Sequence, residues 1–397
     1  MTRNCHETPL AVYIHWPFCK SKCPYCDFNS HVSANIEQEK WLAAYLREID
    51  YFLPQLEARK ITSIFFGGGT PSLMPPSTAQ KIIEKIKHGW VHDADIEITL
   101  EANPTSVEAE KMRDFKAAGI NRISMGIQAL NDNDLKFLGR EHSSKEALAA
   151  LEKVKKHFDN FSFDLIYARP GQTLESWEKE LSQALELAGN HLSLYQLTIE
   201  KGTPFYAAYK TGGFILPDEE MAADLYQLTN ELCAEKGLPA YEISNYCRPG
   251  YESKHNLAYW RYQEYLGVGP GAHSRLAPSP TAREHMMMIH NPSGWLDSVS
   301  ANGHGIQQRS ELEDQEVLEE FIMMGLRIKD GIGREKFSTL LNRQPEEIFL
   351  ESTLEFLRKE NYIELDSTGL RTTEKGFPVL NSVTAKLLSG ITNQAVI

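Results

Sequence analysis

Apolar residues in the first half of the chain switch repeatedly between two spacings. Trp41, Tyr45, Ile49 and Phe52 recur at the helical interval and stop before Pro54, which predicts a helix over 41–53. The run ITSIFFGGGTP that follows is continuously apolar and ends in glycines, as a buried strand feeding a turn does. Helical spacing then returns over 78–87, 106–118, 145–157 and 174–188, separated by strand-like runs over 95–100, 121–128, 161–167 and 191–198. With AVYIHW near the start, this makes six strands alternating with helices, the pattern of a parallel α/β layer with right-handed crossovers. Beyond these units the sequence contains no internal repeat and no low-complexity stretch.

Within the strands the alternation indicates which face does the chemistry. Ile96, Ile98 and Leu100 alternate with Glu97, Thr99 and Glu101, and Ile123, Met125 and Ile127 with Arg122, Ser124 and Gln128. Phe161, Phe163 and Leu165 stand against Ser162 and Asp164. Crossover helices cover the apolar face, so the polar face is expected to point inward. Barrel interiors are usually filled by branched aliphatic side chains, and a polar one makes sense around a polar cofactor. An open sheet with one solvated face is the alternative.

The repeat ends at Pro217. A helix over Glu219–Glu235 leads into a Tyr- and Gly-rich stretch, PAYEISNYCRPGYESKHNLAYWRYQEYLGVGPGAHS, too long for a simple connection. After His304 acidic helices are expected over 314–328, 334–341 and 345–360, then a hairpin turning near Asp366 and Gly369, together a winged-helix-like module. The expected division is 1–216 for the α/β layer, 217–304 for a smaller α+β region and 305–397 for the terminal module.

Composition narrows the class. The chain has 397 residues, 42% hydrophobic and 24% charged, as expected of a soluble protein of two or three domains. Neither a membrane-length apolar run nor a signal-peptide pattern is present, so neither membrane insertion nor export is expected. A formal charge of −13 argues against a surface that neutralises phosphates, so no nucleic-acid partner is expected, and the Glu-rich terminal module is read as structural or protein-facing. Of the six cysteines, Cys5, Cys233 and Cys247 are scattered and suggest no disulfide framework. The expected compartment is the cytoplasm.

The other three cysteines lie together in YIHWPFCKSKCPYCDF, where Cys19, Cys23 and Cys26 form a C-x3-C-x2-C array and Pro17 and Pro24 keep the loop from becoming a helix. Such a loop is a ligand set. A zinc site normally takes four protein ligands, often from two separated pairs, and no second pair follows. Three thiolates suit a [4Fe–4S] cluster, with one iron left for an outside ligand. The Gly67-Gly68-Gly69-Thr70 turn allows close backbone approach to a ligand, a weak signal alone.

The Cys array behind an apolar strand and ahead of GGGTPS resembles the radical S-adenosylmethionine (SAM) superfamily, and Tyr13-x-His15-x-Pro17-Phe18-Cys19 with Cys23-Pro24-Tyr25-Cys26-Asp27-Phe28 resembles its branch of oxygen-independent coproporphyrinogen III oxidases and HemW heme chaperones. The resemblance implies a partial (β/α)6 barrel, a cluster on Cys19, Cys23 and Cys26, and SAM chelating the open iron through its amino and carboxylate groups. It also implies that the turn at Gly68, Gly69 and Thr70 meets the amino end of SAM, and that Tyr13, Glu101, Gln128, Arg140 and Asp164 are SAM contacts. A carboxylate can accept from ribose hydroxyls or an ammonium, and Arg140 can pair with the methionine carboxylate.

His255-Asn256-x-x-Tyr259-Trp260 resembles the HNxxYW motif of the heme chaperones, which implies His255 as a heme contact, since imidazole is a common axial ligand and aromatics suit a porphyrin face. His285, Met286, Met287, Met288 and His290 form a lesser candidate set, because Met runs are more often core filler. Two departures separate this chain from the oxidases. Phe28 stands where the oxidases carry a fourth Cys, and only eighteen residues precede Cys19 where they carry a longer segment. Both favour a heme chaperone that passes heme to an acceptor protein, with SAM cleavage open and the oxidase as alternative. A regulator binding DNA through the terminal module is disfavoured by the acidity of the chain.

Overall fold

Strand after strand of this chain joins one sheet. The main-sheet strands are β1 (Thr8–Trp16), β2 (Arg59–Gly68), β3 (Val91–Ala102), β4 (Arg122–Gln128), β5 (Asn160–Tyr167), β6 (His191–Gln196), β7 (Asn245–Cys247), β8 (Glu264–Val268), β9 (His273–Leu276), β10 (Glu284–Met288) and β11 (Ile306–Glu311). The computed structural model describes residues 8–33 and 35–392, with residues 106 and 107 described by backbone alone. Cys5 lies outside the described residues.

In space the eleven strands run β11, β10, β9, β8, β1, β2, β3, β4, β5, β6, β7. From β8 to β6 all neighbours are parallel. Antiparallel strands extend both edges: β7 beside β6, and β9, β10 and β11 beyond β8. The sheet therefore ends in two different strands and stays open, a partial barrel. Residues 217–304, expected as a region of their own, instead contribute β7 to β10 to this same sheet, and β8 pairs in parallel with β1. Length alone could not reveal this, because β7 and β8 are short and lie among turns.

The expected facing holds. Ile98, Leu100, Ile123, Met125, Phe163 and Leu165 are buried in one core with the crossover helices, while Thr99, Arg122 and Ser162 are buried on the other face. Two expected helices break. The one over 106–118 divides at Lys111 into Ser106–Glu110 and Met112–Ala117. The one over 345–360 divides into Pro345–Ile348 and Glu351–Lys359.

The 217–304 stretch is also tied to the barrel by Glu48, which is fully buried on the helix Gln38–Phe52. Its carboxylate accepts from Gly269 N (2.8 Å), Gly305 N (2.7 Å) and Trp295 Nε1 (3.0 Å). From about Leu312 onward a second core forms around Phe321, Ile332, Phe337 and Leu357. It is built from helices and a three-stranded antiparallel sheet of Ile332–Gly333, Ile363–Leu365 and Gly369–Thr372. The hairpin turns where expected, with Asp366 Oδ1 accepting from Thr368 N at 2.7 Å.

Candidate functional site

The C-terminal ends of the parallel strands converge on the cysteine loop, the end where α/β sheets and barrels bind ligands. Just beyond β1, Cys19 belongs to a short strand pair of Phe18–Cys19 with His31–Val32. Cys26 N donates to Cys23 O at 3.1 Å, which closes the loop between them. All three thiols are free and half-buried, and burial raises the pKa of Cys19 and Cys26.

No group of three or more His, Cys, Asp or Glu among the described residues converges on a point where one ion could sit. A lone tetrahedral zinc needs such convergence. A cluster does not, because each thiolate binds its own iron.

A relay of hydrogen bonds fastens this loop to the strand ends. Arg140 Nη1 donates to Cys23 Sγ (3.3 Å) and Tyr25 OH (3.4 Å), and Nη2 donates to Gly126 O (2.8 Å) and Asn103 Oδ1 (2.6 Å). Asn103 Nδ2 donates on to Thr70 Oγ1 (3.1 Å), whose hydroxyl donates to Cys19 Sγ (3.5 Å). Donors aimed at sulfur stabilise thiolate character. Asn103 was not singled out in the sequence. Its position two residues past Glu101, just beyond β3, is the signal that could have found it.

The glycine turn is shaped mainly by packing. A Cβ at Gly68 would meet the His15 ring at 2.5 Å, and one at Gly69 the Phe18 carbonyl oxygen at 2.6 Å. The N–H groups of Gly68, Gly69 and Thr70 are committed to Glu101 Oε2 (3.2 Å), Trp16 O (2.7 Å) and Phe18 O (2.8 Å). The turn thus offers a ligand acceptors rather than donors, which suits an ammonium.

Below the turn the polar lumen forms a ladder. Arg122 Nη2 donates to Ser162 Oγ (3.1 Å), Ser162 to Ser124 (3.2 Å), and Ser124 to Asp164 Oδ1 (3.4 Å). Burial, together with Asp164 beside it, pushes the Glu101 carboxyl up to about 8. Burial pushes Asp164 up to about 6 against a hydrogen bond from Ser193. Two carboxylates held this way in one cavity are poised for a cationic or hydroxyl-rich ligand.

Gln128 stands at the end of β4 with φ 77°, a left-handed conformation unusual outside glycine, where the pairing with β5 slips. Gly126 leaves room for it, since a Cβ there would lie 2.9 Å from Gln128 Nε2. On β1, Tyr13 OH hydrogen-bonds to His15 Nδ1 (3.1 Å).

His255 lies deeper in the lumen, its ring 6.2 Å from that of Tyr13. It is 1% exposed on the helix Lys254–Trp260. Its Nδ1 pairs with Ser63 Oγ and its Nε2 with Tyr259 OH, each at 2.9 Å, and its ring stacks on Phe65 at 4.9 Å. Glu97 in the lumen caps the helix, accepting from Lys254 N and His255 N at 3.2 Å. Burial lowers the His255 pKa to about 3. Both ring nitrogens are thus engaged by hydroxyl groups. Trp260 at the helix end faces Arg327 of the carboxy-terminal unit, 4.6 Å from ring centroid to guanidinium.

The lesser set divides in two. Met286 and Met288 are wholly buried in the main core, whereas His285 and Met287 face the other way, as the period of a strand requires. A surface cavity of about 370 Å³ between Leu130 and Gln183 is walled by the ion-paired Arg169, Glu180 and Asp134, and none of the cysteine-loop or lumen residues lines it. No helix among the described residues is long and apolar enough to cross a membrane.

Comparison with known proteins agrees with this geometry. Residues 13–184 match the radical SAM superfamily model, and residues 312–379 match the HemN C-terminal domain model. The Heme chaperone HemW of Haemophilus influenzae is 36% identical over 94% of this chain and 97% of its own length. Radical S-adenosyl methionine domain-containing protein 1, mitochondrial, of Danio rerio is 36% identical over 96% of this chain and 88% of its own. Among solved structures, the coproporphyrinogen III oxidase HemN of Escherichia coli, described as a radical SAM enzyme, superposes with a TM-score of 0.79 at 22% identity, covering 97% of this chain and 91% of that one. At that identity the likeness is one of fold.

Proposed function

The chain belongs to the HemW family of the radical SAM superfamily, and on that premise we propose that it is a heme chaperone that binds heme and passes it to an acceptor protein. The observation that carries the cofactor half of this reading is the loop of three free thiols opening onto a polar lumen at the strand ends. When bound, a [4Fe–4S] cluster supplies an iron with one open position for the amino and carboxylate groups of SAM.

Cys19, Cys23 and Cys26 are the proposed cluster ligands, oriented by Thr70 and Arg140. The carbonyls of Gly68 and Gly69 would take the ammonium of SAM, and Glu101 and Asp164 its hydroxyls and positive charge, beside Gln128 and Tyr13. Arg140, already spent on Cys23, Tyr25, Asn103 and Gly126, is better read as the strap of the cysteine loop than as a partner of the methionine carboxylate. Half-buried thiols that must stay reduced support a cytoplasmic location.

The oxidase remains the second reading, favoured by the likeness of fold. Against it stands Phe28, 58% exposed where the oxidases carry a fourth Cys. Hemin is titrated into the anaerobic protein with and without reconstituted cluster, alongside a coproporphyrinogen III assay with dithionite and SAM. A Soret band without decarboxylation supports the chaperone; formation of protoporphyrinogen overturns it.

A further inference from the structure

His273 and His285 occupy neighbouring strands of the sheet extension, on the face shared with Met287, Arg275 and Tyr265. His273 is exposed and His285 partly so. Their rings stack 5.5 Å apart, and His285 Nε2 lies 3.3 Å from His273 Nδ1, the single hydrogen bond linking the pair. A neutral imidazole has one N–H and one lone pair. Two such rings joined by one hydrogen bond therefore leave one outward lone pair in either tautomer, on His273 Nε2 or on His285 Nδ1. The donating ring is held by its partner in the way that second-shell hydrogen bonds hold metal-ligating histidines.

Such a pair makes a poor site for a bare ion, because no third ligand converges here. It suits a metal that already carries four donors and needs one more. Large apolar side chains are exposed on a neighbouring segment. Phe28 and Val32 are 58% and 62% exposed on the segment that leaves the cysteine loop. Between them Asn29 fastens that segment to the turns just before β9 and just after β10, donating to Pro270 O (3.0 Å) and His290 O (2.9 Å).

We propose that the His273–His285 pair is where this chain ligates the iron of a metalloporphyrin, with the exposed Phe28 and Val32 on the neighbouring segment, and that His255 is not the ligand. The proposal rests on the heme-chaperone reading and identifies its cargo site. One coordinate bond forms, from an imidazole lone pair to the open axial position of the iron, and neither electrons nor protons are exchanged.

The test is hemin titration of the cluster-reconstituted full chain followed by absorption and electron paramagnetic resonance. Wild type and a His255→Phe variant that folds should share one histidine-ligated signature. The His273→Ala/His285→Ala variant should bind hemin at least tenfold more weakly and lose that signature, and millimolar imidazole should restore it. Metal-free protoporphyrin IX should distinguish wild type from the double variant by less than threefold. Because both side chains are at the surface, melting temperature and cluster spectrum should be unchanged. A double variant with wild-type affinity and spectrum overturns the proposal while leaving the chaperone reading intact. A wild-type protein that takes up no hemin overturns both.

Discussion

The mouth of the barrel and the floor of its lumen carry equally conspicuous motifs and opposite physics. At the mouth, Cys19, Cys23 and Cys26 are half-buried thiols, Cys19 and Cys23 receiving donors from Thr70 and Arg140 and Cys26 lying beside Ser30. Nearby, Glu101 and Asp164 have pKa values that burial raises to about 8 and 6. At the floor, His255 is just as singular in sequence, yet Ser63 and Tyr259 meet its two ring nitrogens, Glu97 its backbone N–H, and Phe65 and Tyr13 its ring. Buried polar groups that are fully paired hold a fold together, whereas groups left charged or under-partnered wait for a ligand. A motif alone does not say which of the two it is.

Substitution should separate the two. The largest effect belongs to the mouth: Cys19→Ala, Cys23→Ala or Cys26→Ala should abolish the reconstituted cluster, read by iron content and absorption, yet change unfolding free energy by no more than about 1 kcal/mol. His255→Ala should do the reverse. Emptying the stacked site and stranding Ser63 and Tyr259 should cost about 3 kcal/mol in urea unfolding, with cluster content kept. Loss of the cluster in that variant without loss of stability would erase the contrast between mouth and floor.

Glu101→Gln lies between these extremes. SAM affinity should fall at least tenfold by calorimetry, while the SAM-free protein gains roughly 1–3 kcal/mol above pH 8, because a buried carboxylate no longer has to ionise. The sign follows from the folded pKa of about 8 lying above the ordinary 4.5. The folded state keeps a proton that the unfolded chain has lost, so stability declines as pH rises between those values. SAM binding near pH 7 should release a proton and tighten toward pH 8. The smallest effect, about 1 kcal/mol, is expected for Arg327→Ala, which removes the guanidinium over Trp260 and loosens the carboxy-terminal unit without touching cluster or SAM.

Local pattern carried most of the barrel. Alternation in 95–100, 121–128 and 161–167 reported the inward polar face because helices on the other side demand apolar contact there. The cysteine loop was equally plain, since its spacing is itself the constraint. What pattern missed depends on partners distant in sequence. Asn103 matters only because Arg140 and Thr70 reach it, and His273 and His285 become a pair only through antiparallel pairing of β9 with β10. The 217–304 stretch read as separate because nothing in GVGPGAHS announces that β8 will lie beside β1. The motif at His255 meets the same limit: an aromatic-rich histidine helix looks the same whether its ring faces solvent or plugs a barrel.

Arg275 stands opposite His285 in the strand pairing, and its guanidinium grips Glu320 on the helix Asp314–Gly325 at 2.6 Å. Tyr262 holds the same carboxylate at 2.8 Å. One bidentate clasp therefore joins the carboxy-terminal unit to the strands bearing the paired imidazoles. Tilting that helix would drag this edge of the sheet with it, so whatever presses on the terminal unit also pulls on the iron's seat.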